Sequence, residues 1–174
     1  MVSEMGADAL TPDEIIGVLG LKPHPEGGSY RETYRSRVAV TVTNRDDASG
    51  QRCASTAILY ILKEGEMSRL HRIVTDEIWH YHLGGPFQLS MIHPDGRVEE
   101  VVLGPGMESG QAVYCMVPAG CWFGGVPLPG SSYTLLGCTV APGFEFRDLT
   151  IGERKDLLNR YPGASKVIAR LTAA

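Results

Sequence analysis

A chain of 174 residues, 43% hydrophobic and 21% charged, has ordinary globular composition and is long enough for one domain with its own core. A formal net charge of -4 without any Lys/Arg cluster excludes an electrostatic nucleic-acid or anionic-membrane surface, and no apolar run approaches the roughly 18 residues of a membrane-spanning helix. The 21 glycines and 11 prolines are many for a helical protein and suit short strands joined by tight turns.

Residues 1–10 lack both a positive start and an apolar core, so no secretory leader is expected and the cytosol is the expected compartment. In that setting Cys53, Cys115, Cys121 and Cys138, far apart and without a CxxC, are expected to be reduced thiols buried in apolar strands, a disulfide being the alternative. Thr11, Pro12 and Glu14 predict a helix over 10–20: Thr11 caps, Pro12 suits the first position and Glu14 completes a capping box. Ile15, Ile16, Val18 and Leu19 would form its buried face, and Gly20 would stop it. The next eight residues, LKPHPEGG, are turn chemistry.

From Ser29 the period becomes two. Strands are expected over 29–36 and 38–44, a polar loop over 45–52, and over 54–62 a strand apolar enough to be buried on both faces. Residues 65–85 read as a His-rich hairpin. Pro94-Asp95-Gly96 turns between strands 87–93 and 97–103, and three more strands follow over 112–118, 121–126 and 132–140. Thr150 and Glu153 suggest a second capping box before helices over 154–161 and 165–172, separated by Pro162-Gly163. The reading is one all-β domain over 1–174, an antiparallel sandwich or barrel of jelly-roll type. It places the barrel over 28–147, with short helical segments at 10–20 and 150–172.

The chemistry concentrates in 65–85, which holds His71, His80 and His82 with Glu77 among Ile73, Ile78, Trp79 and Tyr81. Side chains alternate along a strand, so the hairpin loop decides which of them meet. A three-residue loop centred on Thr75 puts Ile73 opposite Glu77 and His71 opposite Trp79. One face then holds His71, Ile73, Glu77, Trp79 and Tyr81, with His80 and His82 outside. A loop of only Thr75-Asp76 sets His71 across from His80 and Arg69 across from His82, and turns Glu77 away. A β-bulge after Glu77 would bring both sets together.

Elsewhere, His24 and His93 lie beside prolines and are expected to be structural or exposed. Tyr60, Trp79, Tyr81, Trp122 and Phe123 default to core packing, though in a barrel some would line a cavity that stacks a planar ring or sugar. Arg31 could reach an anionic ligand group, whereas Arg35 and Arg37 read as solvated. Glu26-Gly27-Gly28 is too short to cradle phosphate, and no pattern for acyl transfer is present.

Gly65, five residues, His71, then Glu77, six residues and Gly84 resemble the first motif of the cupin superfamily, with Ile73 at its second His. Pro118-Ala119-Gly120 resembles the start of the second motif, with Phe123 at its His. The segments PHPEGGSYRETYRS, HRIVTDEIWHYH and FRDLTIGERKDLL are similar to cupin family 5, so the resemblance runs from about Leu21 to Leu158. It implies a jelly-roll barrel and favours the register in which His71 and Glu77 converge. A cupin metal site takes three His and one Glu around iron, manganese or a similar ion; two protein ligands seldom hold such an ion. With Ile73 and Phe123 in place of two ligands, the departures from the cupin pattern favour a metal-free pocket, a divalent metal being the alternative cofactor. His71 and Glu77 would act there as general acid and base on a small polar metabolite, in the manner of cupin-type epimerases and isomerases. Arg31, Tyr60, Trp79, His80, Tyr81 and Phe123 are the expected ligand contacts. One alternative is a divalent-metal cupin using His71, Glu77 and His80 or His82. The other is a small-molecule binding protein without turnover, distinguished by whether His71 and Glu77 approach within hydrogen-bond reach. Strands 29–35 and 38–42 are edge material, and a homodimer through them is expected.

Overall fold

The structure, a computed structural model, describes residues 10–43 and 50–173. Helix α1 (Pro12–Leu19) starts as its sequence dictates. The Thr11 hydroxyl accepts the Glu14 N–H, and the Glu14 carboxylate accepts the Thr11 N–H at 2.8 Å. Gly20 closes the helix in the left-handed region at φ 62°. Of the expected apolar face only Ile15 is buried, against Leu21, Ile61 and Leu135, while Val18 is exposed.

The strands follow in order: β1 (Lys22–Pro23), β2 (Ser29–Arg35), β3 (Ala39–Val42), β4 (Gly50–Cys53), β5 (Thr56–Lys63) and β6 (Ser68–Arg72). Then come β7 (Asp76–Gly84), β8 (Phe87–Ile92), β9 (Val98–Leu103), β10 (Tyr114–Val117), β11 (Trp122–Pro127), β12 (Tyr133–Ala141) and β13 (Thr150–Ile151). They build two facing antiparallel sheets, β1-β2-β5-β12-β7-β10 and β13-β6-β11-β8-β9, the double-sheet jelly roll the turn spacing predicts. Tyr60, Leu62, Trp79 and Leu136 from the first sheet meet Leu89, Met91 and Phe123 from the second. Tyr60, Ile61 and Leu62 are all fully buried, because β5 faces this core on one side and α1 on the other. The turn over 94–96 joins β8 to β9 with Ile92 opposite Val98.

Three expectations need correction. Residues 65–85 are not a hairpin: β6 pairs with β11 and β13, β7 pairs with β12 and β10, and 73–75 is a corner crossing from one sheet to the other. Alternation fixes which side chains share a face, not which strand supplies the hydrogen bonds, and here one buried face continues around the corner. Within the expected polar loop, 50–52 belongs to β4, which pairs with β3, Ala39 opposite Cys53; 45–49 lie outside the described residues. Thr150 is no cap: it sits in β13 opposite Arg72, and α2 (Arg154–Arg160) follows Glu153 without a side-chain cap.

Helices α2 and α3 (Ser165–Leu171) cover the outer face of the second sheet. Leu157, Tyr161, Ile168 and Leu171 pack there on Leu70 and Trp122. All four cysteines are free thiols; Cys121 and Cys138 are buried, and Cys53 and Cys115 partly exposed. Among the described residues no helix is long and apolar enough to cross a membrane.

Candidate functional site

A cavity of about 420 Å³ opens between the sheets. The 73–75 corner brings His71, from β6 of one sheet, and Glu77, from β7 of the other, to its wall, 2% and 7% exposed. The two do not touch: no His71–Glu77 ion pair lies within 4.0 Å. The partner of His71 is Glu26, whose Oε2 lies 3.0 Å from Nε2.

Glu26 reaches this position because of the two glycines after it. A Cβ on Gly27 would sit 2.1 Å from the Met67 carbonyl, and one on Gly28 2.6 Å from the Ile61 carbonyl. Only glycine lets the turn press onto β5 and the start of β6 so closely, and both residues have positive φ. Tyr60 Oη donates to the Gly27 carbonyl at 2.7 Å, the Arg69 amide donates to the Glu26 carbonyl at 2.9 Å, and Ser68 Oγ donates to Glu26 Oε1 at 3.2 Å.

The hydrogen bonds fix the proton inventory. His71 Nδ1 lies 2.8 Å from the Arg69 carbonyl, which can only accept, so Nδ1 carries a hydrogen. In a neutral imidazole Nε2 is then a lone pair, and its contact with Glu26 requires one shared proton. Burial pushes the Glu26 carboxyl up to about 8, against the lowering effects of Ser68, Tyr60 and Arg69. Burial also pushes His71 down, opposed by the charge of Glu77 and the bond to Arg69. The proton therefore resides on Glu26, which donates to a neutral His71. Glu77 rises to about 7, first through burial and also through repulsion by Glu26, while His71, Cys138 and Trp79 pull it back. Trp79 Nε1, beside it, is buried without a regular hydrogen-bond partner.

The ion that the fold family uses does not fit here. Ile73 lines the cavity, and Phe123 packs on His71 with ring centroids 4.1 Å apart, so apolar groups fill two ligand positions. Among the described residues no three His, Cys, Asp or Glu side chains converge to hold a metal. His80 faces away, its Nε2 3.2 Å from Thr139 Oγ1, and His82 packs over Gly137, where a Cβ would lie 2.4 Å from its Nε2. Neither joins His71 and Glu77, and His80 does not face the cavity as a ligand contact.

The aromatic expectations divide. Tyr60, Trp79 and Phe123 are core packing rather than cavity wall: Trp79 stacks on Phe87 at 5.5 Å, and Tyr60 lies edge-on to Trp79 at 5.9 Å. Tyr81 donates to the Gly84 carbonyl at 2.6 Å, away from the cavity. His93 anchors the β8–β9 turn, 3.0 Å from Glu99 and 3.5 Å from Cys121 Sγ.

Arg31 is exposed and points toward the end of α1, whereas Arg35 lines the cavity. A bulge between Glu32 and Tyr34 in the β2–β5 register shifts the phase, so Arg35 shares the side of Tyr30 and Glu32. Its fork is taken by Glu32, at 3.0 and 2.7 Å. His24, expected to be structural or exposed, has a side chain only 7% exposed that lines the cavity; burial, then His71, lowers it to about 4. The detectable signal was the Gly pair after Glu26, a mark of close backbone approach that tucks the preceding side chain inward.

The family model described as Cupin superfamily (DUF985) matches residues 13–152. The chain belongs to this family. An uncharacterized protein of Saccharomyces cerevisiae, YML079W, is 29% identical over 163 residues, 88% of this chain and 81% of the yeast protein. A hypothetical protein from Leishmania major has a TM-score of 0.88 and 32% identity, covering 95% of this chain and 100% of its own. Protein SO0799 from Shewanella oneidensis has a TM-score of 0.85 and 34% identity, covering 94% and 98%. These likenesses give a cupin-family small-molecule pocket fold.

Proposed function

We propose that this cupin-family protein carries out metal-independent proton transfer on a small polar metabolite, as an epimerase or isomerase does. The observation behind the reading is the His71–Glu26 contact of 3.0 Å at the cavity wall, with Glu77 facing it from the opposite sheet. His71 Nε2 accepts a proton from carbon beside a carbonyl once Glu26 swings its own proton aside or onto the substrate oxygen. Glu77, held at about 7, returns a proton from the other side. His71 and Glu77 are not within hydrogen-bond reach, so the direct couple expected from the sequence is not what supports this reading; it rests on His71 with Glu26, and the gap leaves room for a substrate between base and acid.

That same gap supports a second reading, a binding protein without turnover. Incubation of the protein in D2O with a panel of aldoses, ketoses and α-hydroxy carbonyl compounds, followed by NMR, separates the two. Deuterium entering beside the carbonyl, lost in His71→Asn and Glu77→Gln and unaffected by chelation, supports catalysis. Compounds that bind yet never exchange leave only the binding role. Purified protein holding more than about half an equivalent of transition metal, lost on His71→Ala, would overturn the metal-free reading.

A further inference from the structure

The two ends of the cavity differ in chemistry. His71, Glu26 and Glu77 form the polar inner end. Toward the mouth four rings form a collar. His24 lies edge-on to Tyr30 at 4.5 Å, Phe146 lies 6.2 Å from His24 and 6.4 Å from Tyr30, and Phe144 lies 5.3 Å from Phe146. Phe146 is 54% exposed, a large apolar surface held at the rim of a cavity rather than in the core.

The rim charges narrow what the collar can hold. Both cations there are engaged: Arg35 forks onto Glu32, and Lys22 sits 5.4 Å over the Tyr30 ring. Among the described residues lining the cavity no open fork awaits a phosphate or carboxylate, and Glu77, once ionised, repels an anion at the inner end. Lys22 already lies over the Tyr30 ring, where a cationic ligand would have to displace it, which argues against use of the collar as an ammonium cage. His24, kept neutral by burial, adds a ring face and no charge.

We infer that the ligand is a two-part uncharged molecule: a hydroxyl- or carbonyl-bearing head at His71 and Glu77, joined to a planar aromatic ring that sits in the Tyr30–Phe146 collar. This rests on the proposed role of His71, Glu26 and Glu77 for the head, but not for the ring. An aryl-substituted sugar or polyol is the simplest member of the class. An offset or edge-on ring pair strengthens binding by about tenfold at its upper end.

Ligand-observed NMR and titration with three probe sets test the inference: matched methyl and phenyl glycosides of common hexoses, phenol and indole alone, and tetramethylammonium. The expected result is saturation transfer to the aromatic protons and about tenfold tighter binding of phenyl than of methyl glycosides. Phe146→Ala and Tyr30→Ala should abolish that preference and Phe146→Trp should keep it, with the melting temperature of each variant reported alongside. Phe146 is exposed, so its substitutions leave the core intact. Absence of any aromatic probe from the site, an aryl preference that survives Phe146→Ala with Tyr30→Ala, or tighter binding of tetramethylammonium would each overturn the inference. Failure of deuterium exchange with aryl binding intact would instead count against the catalytic reading alone.

Discussion

Replacing Glu26 by Gln removes a titrating proton while preserving its contacts. The amide N–H can donate to His71 Nε2 as the protonated carboxyl does, and the amide oxygen can accept from Ser68 Oγ. In the native protein the Glu26 carboxyl titrates at about 8 instead of 4.5. Between those values the folded state holds a proton that the unfolded state has released, so stability falls as pH rises through this window. The histidines act oppositely. His24 drops from 6.5 to about 4 and His71 is also lowered, so between about 4 and 6.5 stability rises with pH. The two effects offset below 6.5; above it the carboxyls act alone. From pH 6.5 to 8 the Glu26 term amounts to about 2 kcal/mol, or about 4–8 °C in melting temperature for a chain of this size. Glu77, at about 7, adds a smaller loss that ends near neutrality. Thermal melts across pH 6–8.5 should therefore fall in the native protein and fall much less in Glu26→Gln, the gap between the two widening as pH rises. A native protein whose melting temperature is flat over that range, or a Glu26→Gln variant with the same fall, would refute the assignment of the proton to Glu26.

The Arg52–Asp148 pair, 2% and 3% exposed, ties β4 to the turn that carries Phe146, and also holds the Glu145 amide through Asp148. Arg52→Met leaves Asp148 buried and unpaired and should cost about 3–5 kcal/mol in denaturant unfolding, much of it recovered by adding Asp148→Leu. A loss below about 1 kcal/mol would mean that the turn holds without the pair. A homodimer is proposed through β2 and β3: Tyr34 in β2 and Val38 just before β3 are exposed, and β3 pairs only with β4 among the described residues. Light scattering should give about twice 18.9 kDa, and a monomer at micromolar concentration would contradict the dimer.

The parity of the chemical stretch was legible in sequence, but its pairing was not. Alternation correctly put His71, Ile73, Glu77 and Trp79 on the buried side. Yet the bond partners of β6 and β7 are β11, β12, β13 and β10, all more than 25 residues distant, which a local pattern does not reveal. The turn chemistry of Pro94-Asp95-Gly96 and the capping box at Thr11 are local, and both hold. Arg35 is exposed, as its polar context implies, but it also borders the cavity because a bulge, unmarked by any Gly or Pro, shifts the phase of β2. Thr150 misled because Thr followed by Glu three residues later serves a short strand before a helix as well as a cap. Glu26 was missed for a different reason: its burial comes from a tertiary approach that Gly27 and Gly28 permit and that only β5 and β6 complete.

The claim on which the proposed chemistry turns is that His71 is a neutral imidazole, protonated on Nδ1, with its Nε2 facing a proton carried by Glu26. Nitrogen-15 NMR of the His71 ring, titrated from pH 5.5 to 8.5 with Glu26→Gln as the reference, measures this directly. The expected result is one protonated nitrogen and one bare nitrogen across the range, with the bare Nε2 shifting only as Glu26 loses its proton near 8. Two protonated ring nitrogens at pH 6.5, titrating with the midpoint of an ordinary histidine, would contradict it.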